Sequence, residues 1–325
     1  MRLRCDPYPD RGHHPARCQH LPEPQSSRPV ASDQQAVVHS RDIGRFVLWA
    51  FGYSWMIFFA VDAWLIPKLQ TSGSEGSVWL TALFGHLIAM LGPGLAAMRI
   101  WQSRGEPMPA WRWSRLRYYA LAMAAMLALW ALPAILGIGF ISSWRFRSPI
   151  EPFAWTVIIS GLSLYWVGGL AEETGWCAFL LPRLTQRLGR SRAVVVAGAI
   201  RGLWHWPVLI SPLLVQVIAG EKSITILITL SLAYGLQLIV SNIFFAALFA
   251  RVWYETESLP LLAWLHQWFD AARDISVLMI VGFGGSLWFS ALWGVLFYPV
   301  ANAALAKIMR TEGISYRALF SRWPA

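Results

Sequence analysis

The stretch Gly169-Leu170-Ala171-Glu172-Glu173-Thr174-Gly175-Trp176-Cys177-Ala178-Phe179-Leu180-Leu181-Pro182 sets two adjacent carboxylates inside an apolar run. Between Phe153 and Leu181 they are the only Asp, Glu, Lys or Arg. An ionisable pair inside a run of that length is costly to bury and points to a functional site. Neighbouring like charges in a low dielectric cannot both ionise cheaply. The pair must share a proton, or be balanced by a cation or a metal. A structural network closed by Arg or His from another helix is the competing reading.

Composition around this stretch fits a polytopic membrane protein. Of 325 residues, 56% are hydrophobic and 14% charged, and the mean hydropathy is +0.47. That is too apolar for a soluble domain. The 20 tryptophans suit a chain whose amphipathic rings line the two membrane interfaces. The fold expected is all-α, with about eight transmembrane helices in one bundle. The spans read as 44–66, 78–98, 118–141, 153–181, 193–213, 223–250, 258–281 and 283–306. Each is long enough, at about 1.5 Å per residue, to cross a hydrocarbon core of about 30 Å.

Residues 1–43 are rich in Pro, Arg, His and Ser, lack apolar periodicity, and read as a disordered tail. They show no secretory h-region, so the tail is expected to be retained. Residues 44–306 form the membrane domain, with 153–281 as its chemical core, and 307–325 form a basic tail. Cys5, Cys18 and Cys177 make no disulfide framework, and the His and Cys of the tail match no zinc spacing.

Charge sets the expected orientation. Of the 27 Lys and Arg, 21 fall on one side when the flanks are numbered alternately, and only five on the other, with Arg201 inside a span. The positive-inside rule then makes both termini cytoplasmic in a multi-pass protein of the plasma membrane. It also accounts for the net charge of +10 without nucleic acid as a partner.

That orientation brings three helices into register. Glu173 lies about ten residues from the cytoplasmic end of span four, roughly 15 Å. His205 stands twelve residues into span five, roughly 18 Å, and His266 eight into span seven, roughly 12 Å. Three separate helices thus carry ionisable groups to one layer. Within helices, Glu173 and Cys177 share a face, as do His266 and Asp270, while Glu172 projects about 100° from Glu173. His86 and Asp62 show no partner and are set aside.

A carboxylate beside water in a dry site can act as general base. Two histidines can polarise a carbonyl or steady an oxyanion. These parts describe peptide hydrolysis, and Glu172, His205 and His266 would equally make a zinc site. No His-Glu-x-x-His helix or Gly-x-Ser-x-Gly elbow is present.

Three motifs in order, Glu172-Glu173-Thr-Gly-Trp-Cys177, Arg201-Gly-Leu-Trp-His205 and His266-Gln-Trp-Phe-Asp270, resemble the CPBP family. These are the CAAX-protease and bacteriocin-processing intramembrane enzymes, related to the type II CAAX prenyl endopeptidases. Their pattern is Glu-Glu-x-x-x-Arg, then Phe-x-x-x-His, then His-x-x-x-Asn or Asp. The resemblance implies an intramembrane endopeptidase, often termed a metalloprotease, that cleaves membrane-associated peptides of prenylated CAAX or bacteriocin-like type. It implies Glu172 as the base, with Glu173 beside it and His205 completing the water site. His266 and Asp270 would then stabilise the oxyanion. A divalent metal such as zinc and a metal-free glutamate mechanism both fit this set.

Two positions depart from the pattern. Cys177 stands at the motif arginine, and Arg201 stands at the motif aromatic. A thiol cannot pair a carboxylate as a guanidinium does. Either Arg201 supplies the cation from the neighbouring helix, or the chain is a degenerate member acting as a membrane scaffold or self-immunity protein. A proton- or cation-coupled transporter is a further alternative, disfavoured by the absence of a visible inverted repeat.

Overall fold

The computed structural model describes residues 33–72, 75–140 and 152–282. Among these the chain is helical, with no strand. Its internal contacts divide it into units 1–40 and 41–325. Of the first, only residues 33–40 are described, and they are helical.

Helix α1 (Asp33–Phe58) runs through a π-helical segment, Phe59–Leu65, into α2 (Ile66–Ser72). Then come α3 (Glu75–Arg104) and α4 (Leu116–Phe140). Helix α5 (Pro152–Glu173) passes through a second π-helical segment, Thr174–Leu180, into α6 (Leu181–Leu188). The chain continues as α7 (Arg190–Trp204), α8 (Trp206–Ile218), α9 (Ile224–Thr256) and α10 (Leu259–Gly282).

Four helical stretches are long and apolar enough to cross a membrane: Ser40–Ser72, Gly76–Arg104, Arg190–Ile218 and Ile224–Thr256. They match the first, second, fifth and sixth expected spans. The third, fourth and seventh coincide with α4, with α5 and its π-helical continuation, and with α10. Helix α10 carries Asp270, Arg273 and Asp274 within five residues, more charge than an apolar span of ordinary composition. The eighth span, 283–306, and the tail 307–325 lie outside the described residues. The membrane character therefore holds, and the count of eight is left open.

Helix α1 begins at Asp33 and takes in the end of the stretch read as a tail. Asp42 is fully buried there, and Arg104 at the end of α3 pairs with it at 2.7 Å. Residues 1–32 lie outside the described residues.

Small residues set how closely the central helices approach. Helix α7 carries Gly198 and Gly202 one turn apart, facing α9. A Cβ on Gly198 would sit 2.5 Å from the Ile243 Cα, and one on Gly202 would sit 2.7 Å from the Ile239 Cα. This Gly-x-x-x-Gly stripe allows backbone-to-backbone packing. Arg201, between them, is thereby carried against α9. On α5, a Cβ on Gly169 would lie 2.9 Å from the Cβ of His266, so glycine lets α10 approach the glutamate pair.

The helix breaks at His205, between α7 and α8. Pro207 has no N–H to continue the ladder and starts α8. The backbone N–H of His205 is shared between the Arg201 and Gly202 carbonyls.

Candidate active site

Glu172 and Glu173 end α5 just before its π-helical continuation, and they are 1% and 0% exposed. The Arg201 guanidinium reaches both from α7. Its Nη2 lies 3.0 Å from Glu172 Oε2, and its Nη1 lies 2.9 Å from Glu173 Oε1. Arginine suits this place because its planar fork can serve two acceptors at once. The ring of Phe245, on α9, lies under the same guanidinium, 4.2 Å from its carbon, with Phe249 at 5.5 Å. Such stacking suits a cation held out of water.

His266 of α10 closes the cluster. Its Nδ1 is 2.9 Å from Glu173 Oε1, and its Nε2 is 3.4 Å from Asp270 Oδ2, one turn along. Both ends of the imidazole therefore meet carboxylate oxygens, so either tautomer can donate to one. The edges of Phe245 and Phe249 flank the ring. The Trp176 indole N–H donates to Glu172 Oε2 at 3.1 Å. Cys177, four residues on from Glu173, is buried with it.

Glu172, Glu173, Arg201, His266 and Asp270 thus form one continuous network across α5, α7 and α10. His205 sits at its edge, half-buried at the helix break. Its Nδ1 is 2.8 Å from the Arg201 carbonyl, which favours the proton on that nitrogen and leaves Nε2 as an acceptor. Its ring packs edge-on against Trp204, which in turn meets Trp176.

Among the described residues no group of three His, Cys, Asp or Glu side chains is arranged to hold a metal. The reason is visible in the donor set. Arg201 occupies one oxygen of each glutamate and lies 3.4 Å from His266 Nδ1, so a cation already stands among these donors. The residues as placed do not fit a divalent ion.

Several polar residues complete the surroundings and were not singled out in sequence. Trp176 was hidden among many tryptophans. Arg273 pairs with Asp270 and Asp274. The i, i+3 spacing of Asp270 and Arg273 was the available signal. Asp62 and His86, set aside as partnerless, pair with each other at 2.8 Å between the first π-helical segment and α3. Nothing in their local sequence shows that those two elements touch.

The described residues thus combine apolar helices, four of them long enough to cross a membrane, with a buried network of carboxylates, arginine and histidine. A family model described as Type II CAAX prenyl endopeptidase Rce1-like matches residues 153–272, from the start of α5 into α10. Over that segment the chain is similar to the CPBP/CAAX protease family. A search of curated proteins returned no match. The family supports an intramembrane protease of CAAX type in general.

Proposed function

We propose that the chain is a metal-free intramembrane endopeptidase in which Glu172 activates the attacking water. The observation that carries this reading is how Glu172 is held. Its contacts from Arg201 and Trp176 both fall on Oε2. Oε1 is left to take a water proton, whereas Glu173 is engaged by Arg201 and His266 together. A general base must keep one free oxygen at hydrogen-bond reach of its water.

The remaining roles follow from donors and acceptors. Arg201 supplies the counter-charge to the pair without occupying Glu172 Oε1. For His266 to serve a tetrahedral oxyanion, its Nδ1–H would have to turn from Glu173 to the substrate. Asp270 accepts from His266 and so orients the imidazole. His205 Nε2, an acceptor at the helix break, would help hold the water. Attack forms the water oxygen–carbonyl carbon bond, with the water proton passing to Glu172. Collapse breaks the C–N bond and returns that proton to the leaving amine.

The substrate class we propose is a membrane-associated peptide, either a prenylated CAAX-type C-terminus or a bacteriocin-like precursor. The test is cleavage of such peptides by purified protein in liposomes, comparing wild type with Glu172→Ala. Cleavage lost only in the variant supports the reading, and equal cleavage by both overturns it.

One observation favours a second reading. With the glutamates at 1% and 0% exposed, the site is closed as it stands. A degenerate scaffold or self-immunity member would hold this network permanently shut. Such a protein would cleave none of these peptides, while Arg201→Leu would still destabilise it.

A further inference from the structure

Asp270 divides its two oxygens between different partners. Oδ2 faces His266 Nε2 at 3.4 Å, while Oδ1 accepts from Arg273 Nη1 at 2.7 Å. Arg273 is itself fixed from behind, since its Nε donates to Asp274 Oδ1 at 2.8 Å. The Tyr165 hydroxyl, on α5, donates to Asp274 Oδ2 at 2.6 Å. Tyr165 and Glu173 lie two turns apart on the same helix. The contacts therefore run in a closed circuit, out from α5 at Tyr165, along α10 through Asp274, Arg273, Asp270 and His266, and back to α5 at Glu173.

The charges explain why the circuit is needed. Asp270 is 6% exposed and adds a third carboxylate to a cluster whose one internal guanidinium, Arg201, is already committed to Glu172 and Glu173. A buried carboxylate without a cation is strongly unfavourable. Without a partner on Oδ1, it would also be free to turn Oδ2 away from the imidazole. Arg273 answers both needs, and it does so from the edge, with its side chain 40% exposed. An asparagine at 270, being neutral, would not need the counter-charge.

We propose that Arg273 is a positioning residue of the candidate active site. It balances Asp270 and turns Oδ2 onto His266 Nε2, with Asp274 and Tyr165 aiming its guanidinium. The activity arm of this proposal rests on the protease reading above.

The experiment is a double-mutant cycle of wild type, Arg273→Gln, Asp270→Asn and the double variant. Two readouts are taken: kcat and KM for a prenylated CAAX peptide in liposomes, and thermal melting in detergent. Arg273→Gln is expected to lower kcat roughly tenfold or more with KM nearly unchanged, the scale of a contacting pair. Adding Asp270→Asn should return most of that loss and raise the melting temperature above that of Arg273→Gln alone. A double variant no better than Arg273→Gln in either readout overturns the proposal, because Arg273 would then only tie α10 to α5 through Asp274. If the wild type cleaves nothing, the protease reading fails by itself. The melting cycle still decides whether Arg273 is the counter-ion of Asp270.

Discussion

Arg201 reaches Glu173 from the next helix, with Nη1 2.9 Å from Oε1, while its other nitrogen meets Glu172. The guanidinium thus lies between two carboxylates that sit side by side in sequence. Its stem comes from a helix that two glycines bring against α9. The cation missing from position 177 is present in space, from position 201.

Removing that cation should be severe. Arg201→Leu leaves two buried carboxylates uncompensated, a loss of about 3–5 kcal/mol. Thermal melting in detergent should show it, together with loss of cleavage. Adding Cys177→Arg should restore part of both, since Cys177 is buried with Glu173, four residues on from it. A double variant as unstable as Arg201→Leu would show that the guanidinium works only from α7.

Glu172→Gln should fold normally yet lose about 10²–10⁴-fold in kcat, the usual contribution of a general base. Glu173→Gln should instead cost stability as well as rate, since that carboxylate anchors both Arg201 and His266. Equal melting losses in the two variants would remove the distinction drawn between them.

Chelation provides a separate check. Treatment with 1,10-phenanthroline or EDTA should leave cleavage unchanged, and elemental analysis of purified protein should find no stoichiometric metal. Activity lost to chelator and restored by zinc would place a metal where Arg201 now lies.

The close approach of α7 and α9 is testable without substrate. Gly198→Leu would place side-chain atoms into the backbone at Asn242 and Ile243, where even a Cβ would lie within 2.5–2.8 Å. Overpacking of this kind costs about 1–3 kcal/mol. Gly44→Leu, where a Cβ would meet nothing within 4 Å, should melt near wild type. Melting temperatures of the pair make the comparison.

Much of the site was legible because its chemistry is local. Glu172 and Glu173 stand alone in an apolar run, and His266 and Asp270 share a face by spacing alone. Even Arg201 could be matched to the glutamates, since depth along two helices is nearly a count of residues. What spacing does not contain is which helices are neighbours. Asp62 and His86 looked solitary for that reason, and they pair only because α3 packs beside the first π-helical segment. Arg273 falls one turn beyond Asp270, a pairing that spacing does contain, whereas it does not contain the reach of Tyr165 from α5 to Asp274. Asp42, within the stretch read as a tail, is buried beside Arg104, a pairing that depends on α1 meeting the end of α3.

The π-helical segment Thr174–Leu180 has a consequence for how this chain can change in length. Its i→i+5 ladder holds one residue more per turn than an α-helix would. Phe179, inside it, and Arg183, just after it, owe their facing to that wider turn. Deleting a single residue here, such as Ala178, would let the ladder close as ordinary α-helix. The wider turn absorbs the loss, so the rod beyond it keeps nearly its present facing, with Phe179 near Phe46 and Arg183 near Glu106. A one-residue deletion in the α-helical part of α5 would instead turn everything beyond it by about 100°. This turn is where the rod can lose a residue with the least change of register.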